Sequence, residues 1–235
     1  MSQNNIIIQE ARSANFFFRR QAWHLISLPV LIGISYALSA RSMGDGSWLG
    51  FEDFTWYWTG IVLVIVQQLA VWIVFRSQLG WAVLTRWFRD VDIMVRGVVF
   101  IPLLVARPLL LLGLAMSDRH SAGLPRLVKI SLGIMLLIPA LYTLWSVGRY
   151  FGLERALGGD HFREKYREMS HVREGAFRWN KNAMYTFAFL GLWSIALLTG
   201  SVAALGLALF QHAYVWIHYY CTEEPDMRLI YGRRD

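Results

Sequence analysis

The chain has 235 residues, 56% of them hydrophobic and 15% aromatic, with 23 Lys/Arg against 16 Asp/Glu and a formal charge of +7. Its mean hydropathy is +0.38, and several apolar runs approach the ~20 residues that cross a bilayer, so an integral membrane protein is expected rather than a soluble domain. The basic residues flank the apolar runs, where they set topology and meet anionic headgroups, so nucleic acid is not an expected partner; the single cysteine, Cys221, excludes an internal disulfide and a Cys-based zinc site.

Residues 1–22 run from polar to aromatic to basic, with Phe16, Phe17 and Phe18 ahead of Arg19 and Arg20. That order suits an interfacial segment whose rings enter lipid while the arginines stay wet. The apolar run 25–38 precedes Ala37-Leu38-Ser39-Ala40, but the residues ahead of it argue for a retained first span, at 24–40, over a cleaved signal. A Gly-rich, acidic loop (41–55) follows. Trp56, Tyr57 and Trp58 then form an aromatic belt that opens span two, at 56–75. From Gly80 to Arg96 the apolar residues Trp81, Leu84, Phe88, Val91 and Val95 recur at helical spacing, with Arg86, Arg89, Asp90 and Asp92 mainly on other faces. This predicts an amphipathic interfacial helix near 80–96; the alternative is an extended end of span two or three.

Span three, at 97–116, carries Pro102 and the pair Arg107-Pro108. A midspan arginine is costly unless it faces protein, water or phosphate. Arg107 therefore either contacts a lipid phosphate or substrate carboxylate, or bonds carbonyls freed by a proline kink. Span four covers 127–147 and includes Pro139. A charged linker, 148–181, separates it from two apolar segments, 182–199 and 202–222, joined only by Gly200-Ser201. So short a connection makes them an antiparallel hairpin, and Gly191, Gly200 and Gly206 permit close backbone approach.

With a cytoplasmic N-terminus, the inside segments hold 18 Lys/Arg, including Arg228, Arg233 and Arg234, against 4 outside. The bias predicts six spans with both termini cytoplasmic, in an all-α polytopic membrane protein. The linker and Glu223-Glu224 then share one side.

Span six concentrates the chemistry. His212, Trp216, Tyr219 and Glu223 follow i, i+4, i+7, i+11 and share a helix face; Tyr214, His218 and Cys221 fall on a neighbouring one. A headgroup-level belt would explain the aromatic and histidine residues but not two adjacent acids. Such acids can hold a cationic ligand or take a proton from a nucleophile. A metal role is not expected, because ligand spacing such as His-Glu-x-x-His is absent. In the linker, His161 and His171 are either proton acceptors near neutral pH or solvated loop residues. A Rossmann glycine pattern, a phosphate loop and a serine nucleophile elbow are all absent.

Three segments carry a resemblance: Tyr150-Phe151-Gly152; Asn182-Ala183-Met184-Tyr185 opening the hairpin; and His218-Tyr219-Tyr220-Cys221-Thr222-Glu223-Glu224-Pro225. Together they resemble the integral-membrane methyltransferases, which include phosphatidylethanolamine N-methyltransferases and isoprenylcysteine carboxyl methyltransferases. The likeness covers 140–232, and implies a methyltransferase-like core (127–235) on an N-terminal scaffold (1–126). It implies S-adenosylmethionine as cofactor and a membrane lipid as substrate, in a bacterial inner membrane or an ER-like one. Gly148, Tyr150, Gly152, Asn182, Tyr185, Tyr219, Glu223 and Glu224 are the implied cofactor contacts. Glu224, His218 and His161 are candidate bases, and Arg107 and Trp216 candidate substrate contacts.

The sequence departs from the family pattern in three places. Ala183 stands where proline is usual, a Gly-x-Gly is reduced to Gly133, and the arginine preceding the glutamate pair in the carboxyl methyltransferases is missing. The last departure favours an amine acceptor, hence phospholipid N-methylation. The alternatives are methylation of an isoprenylcysteine carboxylate or a small lipophilic thiol or amine, an NADPH-dependent sterol-type reductase, and a non-enzymatic membrane scaffold.

Overall fold

Capping and apolar periodicity lay out an all-α bundle in the computed structural model, which describes residues 3–232, with side chains from Ile6 onward. Arg233 and Arg234, part of the expected basic flank, lie outside the described residues. Helices α1 (Gln3–Ala11) and α2 (Ala14–Phe17) form the N-terminal segment, where Ser13 Oγ caps α2 by accepting from the Phe16 amide at 3.1 Å. Helix α3 (Gln21–Ser39) is followed by a two-stranded antiparallel ribbon, β1 (Ser47–Trp48) and β2 (Phe51–Glu52). Helix α4 (Asp53–Trp81) opens on Asp53, whose carboxylate accepts from the amides of Gly44 at 2.8 Å and Phe54 at 2.7 Å.

The stretch 80–96 is divided rather than one interfacial helix. Gly80 and Trp81 end α4, α5 (Val83–Phe88) is a short helix, and Asp92 to Arg96 already belong to α6 (Asp92–Ser117). The breaks are local: Ala82 and Arg89 take positive φ, and Asp92 accepts from the Ile93 amide at 2.7 Å as α6 begins. Arg163 from the linker meets the same carboxylate at 2.6 Å.

Helix α7 (Arg126–Ser146) leads to a linker of three single-turn helices: α8 (Leu153–Ala156), α9 (Gly159–Phe162) and α10 (Glu164–Arg167). The hairpin follows as α11 (Leu190–Thr199) and α12 (Val202–His218), and then α13 (Glu224–Tyr231).

Among the described residues, four stretches are long and apolar enough to cross a membrane: Ala14–Ser39, Asp53–Trp81, Val83–Ser117 and Arg126–Phe151. Their outward faces carry large apolar side chains such as Trp23, Val62, Val98 and Ile138, which are mostly exposed, as an integral membrane protein requires. The hairpin helices are shorter than the expected spans. Gly200, at φ 68, closes α11, and Ser201 caps α12 by accepting from the Ala204 amide at 2.9 Å. At their other ends both leave α geometry.

One apolar core joins the two halves of the chain, with Tyr57, Ile61, Leu111 and Leu114 against Leu192, Ala203, Leu207 and Phe210. Gly206 works against α3 rather than within the hairpin. Ser35 Oγ donates to the Gly206 carbonyl at 2.8 Å, and a Cβ at Gly206 would collide with the Ser39 hydroxyl. Gly133 is likewise a packing residue, since a Cβ there would meet Leu198, and its carbonyl accepts from Ser194 Oγ at 2.7 Å.

At the linker end, α1, the end of α4 and α13 share an apolar cluster that includes Ile7, Ala11, Leu79 and Ile230. The N-terminal segment and α13 therefore lie at the same end of the bundle.

Candidate active site

Three short π-helical turns occur among the described residues: Val147–Phe151, Met184–Ala188 and Tyr219–Glu223. π turns occupy well under 1% of residues in globular proteins and concentrate at functional sites. Here each falls on one of the motifs singled out in the sequence. The first lies beside the second, because Val147 and Phe151 pack on Ala183, Met184 and Phe187. The second meets the third through Tyr185.

Tyr185 is the point on which the polar face of α12 converges. Its hydroxyl donates to Glu223 Oε2 at 2.5 Å. Its ring lies 6.1 Å from Trp216 and 5.7 Å from Tyr219, measured between centroids. Its carbonyl lies 2.8 Å from His212 Nε2. The indole of Trp193 can only donate, and does so to His212 Nδ1 at 3.0 Å, so Nε2 carries the proton given to Tyr185. His212 thus secures a carbonyl of the π turn and has no ring nitrogen left for chemistry. Asn182 hydrogen-bonds the Tyr219 side chain, and its carbonyl accepts the amides of Tyr185 and Thr186, each at 3.0 Å.

Glu223 also faces His218, whose Nε2 is 3.6 Å from Oε1. Burial pushes the Glu223 carboxyl above the usual carboxylate range, against the pull of the Tyr185 hydrogen bond. His218 is almost fully buried, and neither ring nitrogen has a hydrogen-bond partner. Edge-on to it, 5.6 Å away, is His24 of α3. Gln21 fixes the state of His24: its amide nitrogen donates to the Cys221 carbonyl at 3.1 Å and Thr222 Oγ1 at 3.2 Å. Its oxygen is therefore free to accept from His24 Nδ1 at 2.8 Å. His24 Nε2 is left unpartnered beside Tyr214, whose hydroxyl is also unpartnered.

The adjacent glutamates have separate environments. Glu224 pairs with Arg20 at 2.6 Å and with Arg228 at 2.6 Å. Burial works to raise its carboxyl, but the two arginines outweigh it and hold it below the usual range. His161 is likewise engaged, stacked on Phe75 at 3.9 Å with Nε2 3.3 Å from Asp226. Asp226 in turn holds Arg76 at 3.0 Å. That arginine also donates to the carbonyls of Phe16, Phe17, Arg19 and Cys221, at 2.7 to 3.0 Å. His171 packs on the Tyr231 ring at 5.5 Å.

Gly148 and Tyr150 lie in the first π turn. Tyr150 is partly exposed against Trp145, and Gly152 takes φ 85. No protein atom would obstruct a Cβ at Gly148, so packing does not explain that glycine.

Arg107 is buried, yet it does not bond the carbonyls of the proline kink. Its Nε and Nη2 have no partner, and the guanidinium lies 5.7 Å from the Phe189 ring. Arg96, three turns earlier on α6, was not singled out in the sequence. It donates to the Leu157 carbonyl at 2.5 Å and attracts Glu223 and Tyr185 electrostatically. Its recurrence with Arg107 at i, i+11 was the available signal. Two open surface grooves lie elsewhere, one lined by Arg12, Phe17, Phe18 and Trp81 and one by Trp58, Val62 and Val66.

Residues 128–234 match the family model for phospholipid methyltransferases. Over 102 residues, 43% of this chain, the sequence is 30% identical to a phosphatidylethanolamine N-methyltransferase of Malassezia globosa. Over 107 residues, 46% of the chain, it is 29% identical to a protein of the same name from Neurospora crassa. The matches cover 10% and 11% of those relatives, so the chain spans about a tenth of their length. No solved structure matches the chain. Residues 128–234, the region that carries all three π turns, are thus similar to the phospholipid methyltransferases.

Proposed function

We propose that this protein transfers a methyl group from S-adenosylmethionine to the amine headgroup of a membrane phospholipid, carrying phosphatidylethanolamine towards phosphatidylcholine. The observation that carries the reading is the meeting of Tyr185, Tyr219 and Glu223 on two π turns, beside a buried histidine with both nitrogens unpartnered.

The residues fit the cofactor's chemistry. A carboxylate and three aromatic faces suit a ligand bearing a sulfonium and an ammonium. Open space over Gly148 suits close approach to the backbone. S-adenosylmethionine, when bound, supplies a methyl group on a positively charged sulfur.

The acceptor amine must be neutral to attack that methyl carbon. Primary amines of the lysine type have pKa near ~10.4, so a base is needed. Glu223 is the base in this scheme, with His218 as the adjoining proton acceptor. With the donor bound, Glu223 would take the proton shed by the acceptor nitrogen as its N–C bond forms, and the donor's sulfur would keep the electron pair of the broken C–S bond. Tyr185 holds the carboxylate in register, and Asn182 orients Tyr219. Gly148, Tyr150 and Gly152 flank the cofactor, while Trp216 and Arg107 face the acceptor. Glu224 and His161 hold the architecture rather than the reacting atoms.

We place both termini, the linker and Glu223 on the cytoplasmic side, as the basic-residue bias supports. The methyltransferase-like core (127–235) then sits on the scaffold of 1–126 in a bacterial inner membrane or an ER-like one. The test is lipid mass spectrometry of a host expressing the protein with labelled methionine. New mono-, di- or trimethylated amine headgroups are expected. Their absence, together with calorimetric binding of NADPH and not of S-adenosylhomocysteine, would overturn the reading in favour of a reductase.

A further inference from the structure

Arg107 is a fully formed cation inside a membrane bundle, and it has spare donors. It is 3% exposed, and two of its donor-bearing nitrogens lack partners. A guanidinium offers five N–H donors in a planar fork, and leaving some unmade in a dry interior is costly. The nearby groups do not neutralise it. Its electrostatic partners are the hydroxyls of Tyr214 and Tyr185, and the Tyr214 hydroxyl is itself unpartnered. On the next turn of α12 the Gln211 amide is also buried and unpartnered. Arginine, tyrosine and glutamine present unmade donors, and among the described residues no carboxylate bonds them. Glu223 is already engaged by Tyr185 and attracted to Arg96.

We propose that span three, outside the family-matched region, completes the site with a receptor for a ligand oxyanion, formed by Arg107 with Tyr214. The chemistry is a delocalised, singly charged oxyanion that accepts a bidentate arginine fork. Two sources carry it: the phosphodiester of the acceptor lipid and the carboxylate of the methyl donor. The receptor and the base lie near the same tyrosine: Tyr185 donates to Glu223 and acts electrostatically on Arg107. A ligand with an amine and an oxyanion a few bonds apart can therefore engage both. This inference rests on the methyl-transfer reading for the identity of its ligands but not for the existence of the receptor.

The experiment uses the full chain in detergent and compares wild type with Arg107→Leu and Arg107→Lys. Three readouts are taken: melting temperature alone, calorimetric affinity for S-adenosylhomocysteine, and the concentration of dihexanoyl phosphatidylethanolamine that gives half-maximal thermal stabilisation. A buried charge kept for a ligand destabilises the unliganded protein, so Arg107→Leu is expected to melt at the same or a higher temperature. One affinity should fall at least tenfold while the other holds within twofold. Loss of lipid-induced stabilisation assigns the phosphodiester, loss of S-adenosylhomocysteine affinity assigns the donor carboxylate, and Arg107→Lys should fall between. A lower melting temperature with both affinities unchanged overturns the receptor and makes Arg107 structural. If wild type binds no S-adenosylhomocysteine yet shows Arg107-dependent stabilisation by lipid, the receptor stands and the methyl-transfer reading falls. If wild type responds to neither ligand, the receptor is overturned as well.

Discussion

Tyr185 and Glu223 form a short hydrogen bond in which the phenol, as donor, favours the ionised carboxylate. Burial opposes that ionisation and leaves the carboxyl above its usual range. The sign of the pH dependence follows. As the proposed base, Glu223 would be protonated below its raised pKa and unable to accept the amine proton, so kcat/KM should rise with pH through that value. Tyr185→Phe removes the interaction that pulls the pKa down, so the acid limb should move to higher pH. A limb that stays in place, measured over a pH series in vesicles, would assign it to another group. Glu223→Gln should cost about 10²–10⁴-fold in kcat, the usual range for a lost general base, with the melting temperature retained. Glu224→Gln, removing an acid already committed to Arg20 and Arg228, serves as the control and should stay within a few-fold of wild type. Equal losses in the two variants would return Glu224 to the chemistry.

At the scale of elements, the linker end is tied together by Arg76. Its guanidinium spans α4, the N-terminal segment, the third π turn and Asp226 of α13, with both charged side chains fully buried. Removing one member of a buried ion pair typically costs about 3–5 kcal/mol, because the other charge is left uncompensated. Arg76→Met should therefore lower the denaturation midpoint steeply. The double variant Arg76→Met with Asp226→Leu should recover part of that loss. Additive losses would show that the carbonyl bonds, not the charge pair, carry the contribution. The Arg20–Glu224 pair is half open to solvent and belongs to the class of exposed pairs worth about 0–1 kcal/mol, so it guides α13 more than it secures it.

At the scale of the whole molecule, the family region does not enclose its own core. Leu207, Phe210 and Tyr214 of α12 are buried against α3, α4 and α6, and α3 approaches α12 through the Gly206 contact. A fragment of residues 127–235 expressed alone would expose that face. It should aggregate or fail to bind S-adenosylhomocysteine, and co-expression with 1–126 should restore a monodisperse complex. A folded, ligand-binding fragment, judged by size-exclusion in detergent and calorimetry, would show that the scaffold is dispensable. The outward belt of apolar side chains on the long helices makes the surrounding solvent lipid, so these measurements need detergent or vesicles throughout.

The sequence by itself determined the solvent and the local chemistry. Run length and polarity mark membrane helices, and the unusual pair Glu223-Glu224 with Tyr185 upstream marks a candidate site, because these are properties of residue type and spacing. The i, i+4, i+7, i+11 face of His212, Trp216, Tyr219 and Glu223 was legible too, and all four do meet Tyr185. What only the tertiary structure decided is which member of a motif faces which partner. Glu223 and Glu224 are adjacent and chemically identical. Their division depends on a π turn that rotates one towards Tyr185 and leaves the other to Arg20, some 200 residues away in the chain. His161 reads as a loop residue in the sequence, and only the fold stacks it on Phe75 and sets it against Asp226. Arg107 allows two readings from its position, and only the fold shows that its Nε and Nη2 bond no carbonyl of the proline kink. Helix phase and side-chain partners depend on contacts distant in sequence, and hydrophobic periodicity carries no record of them.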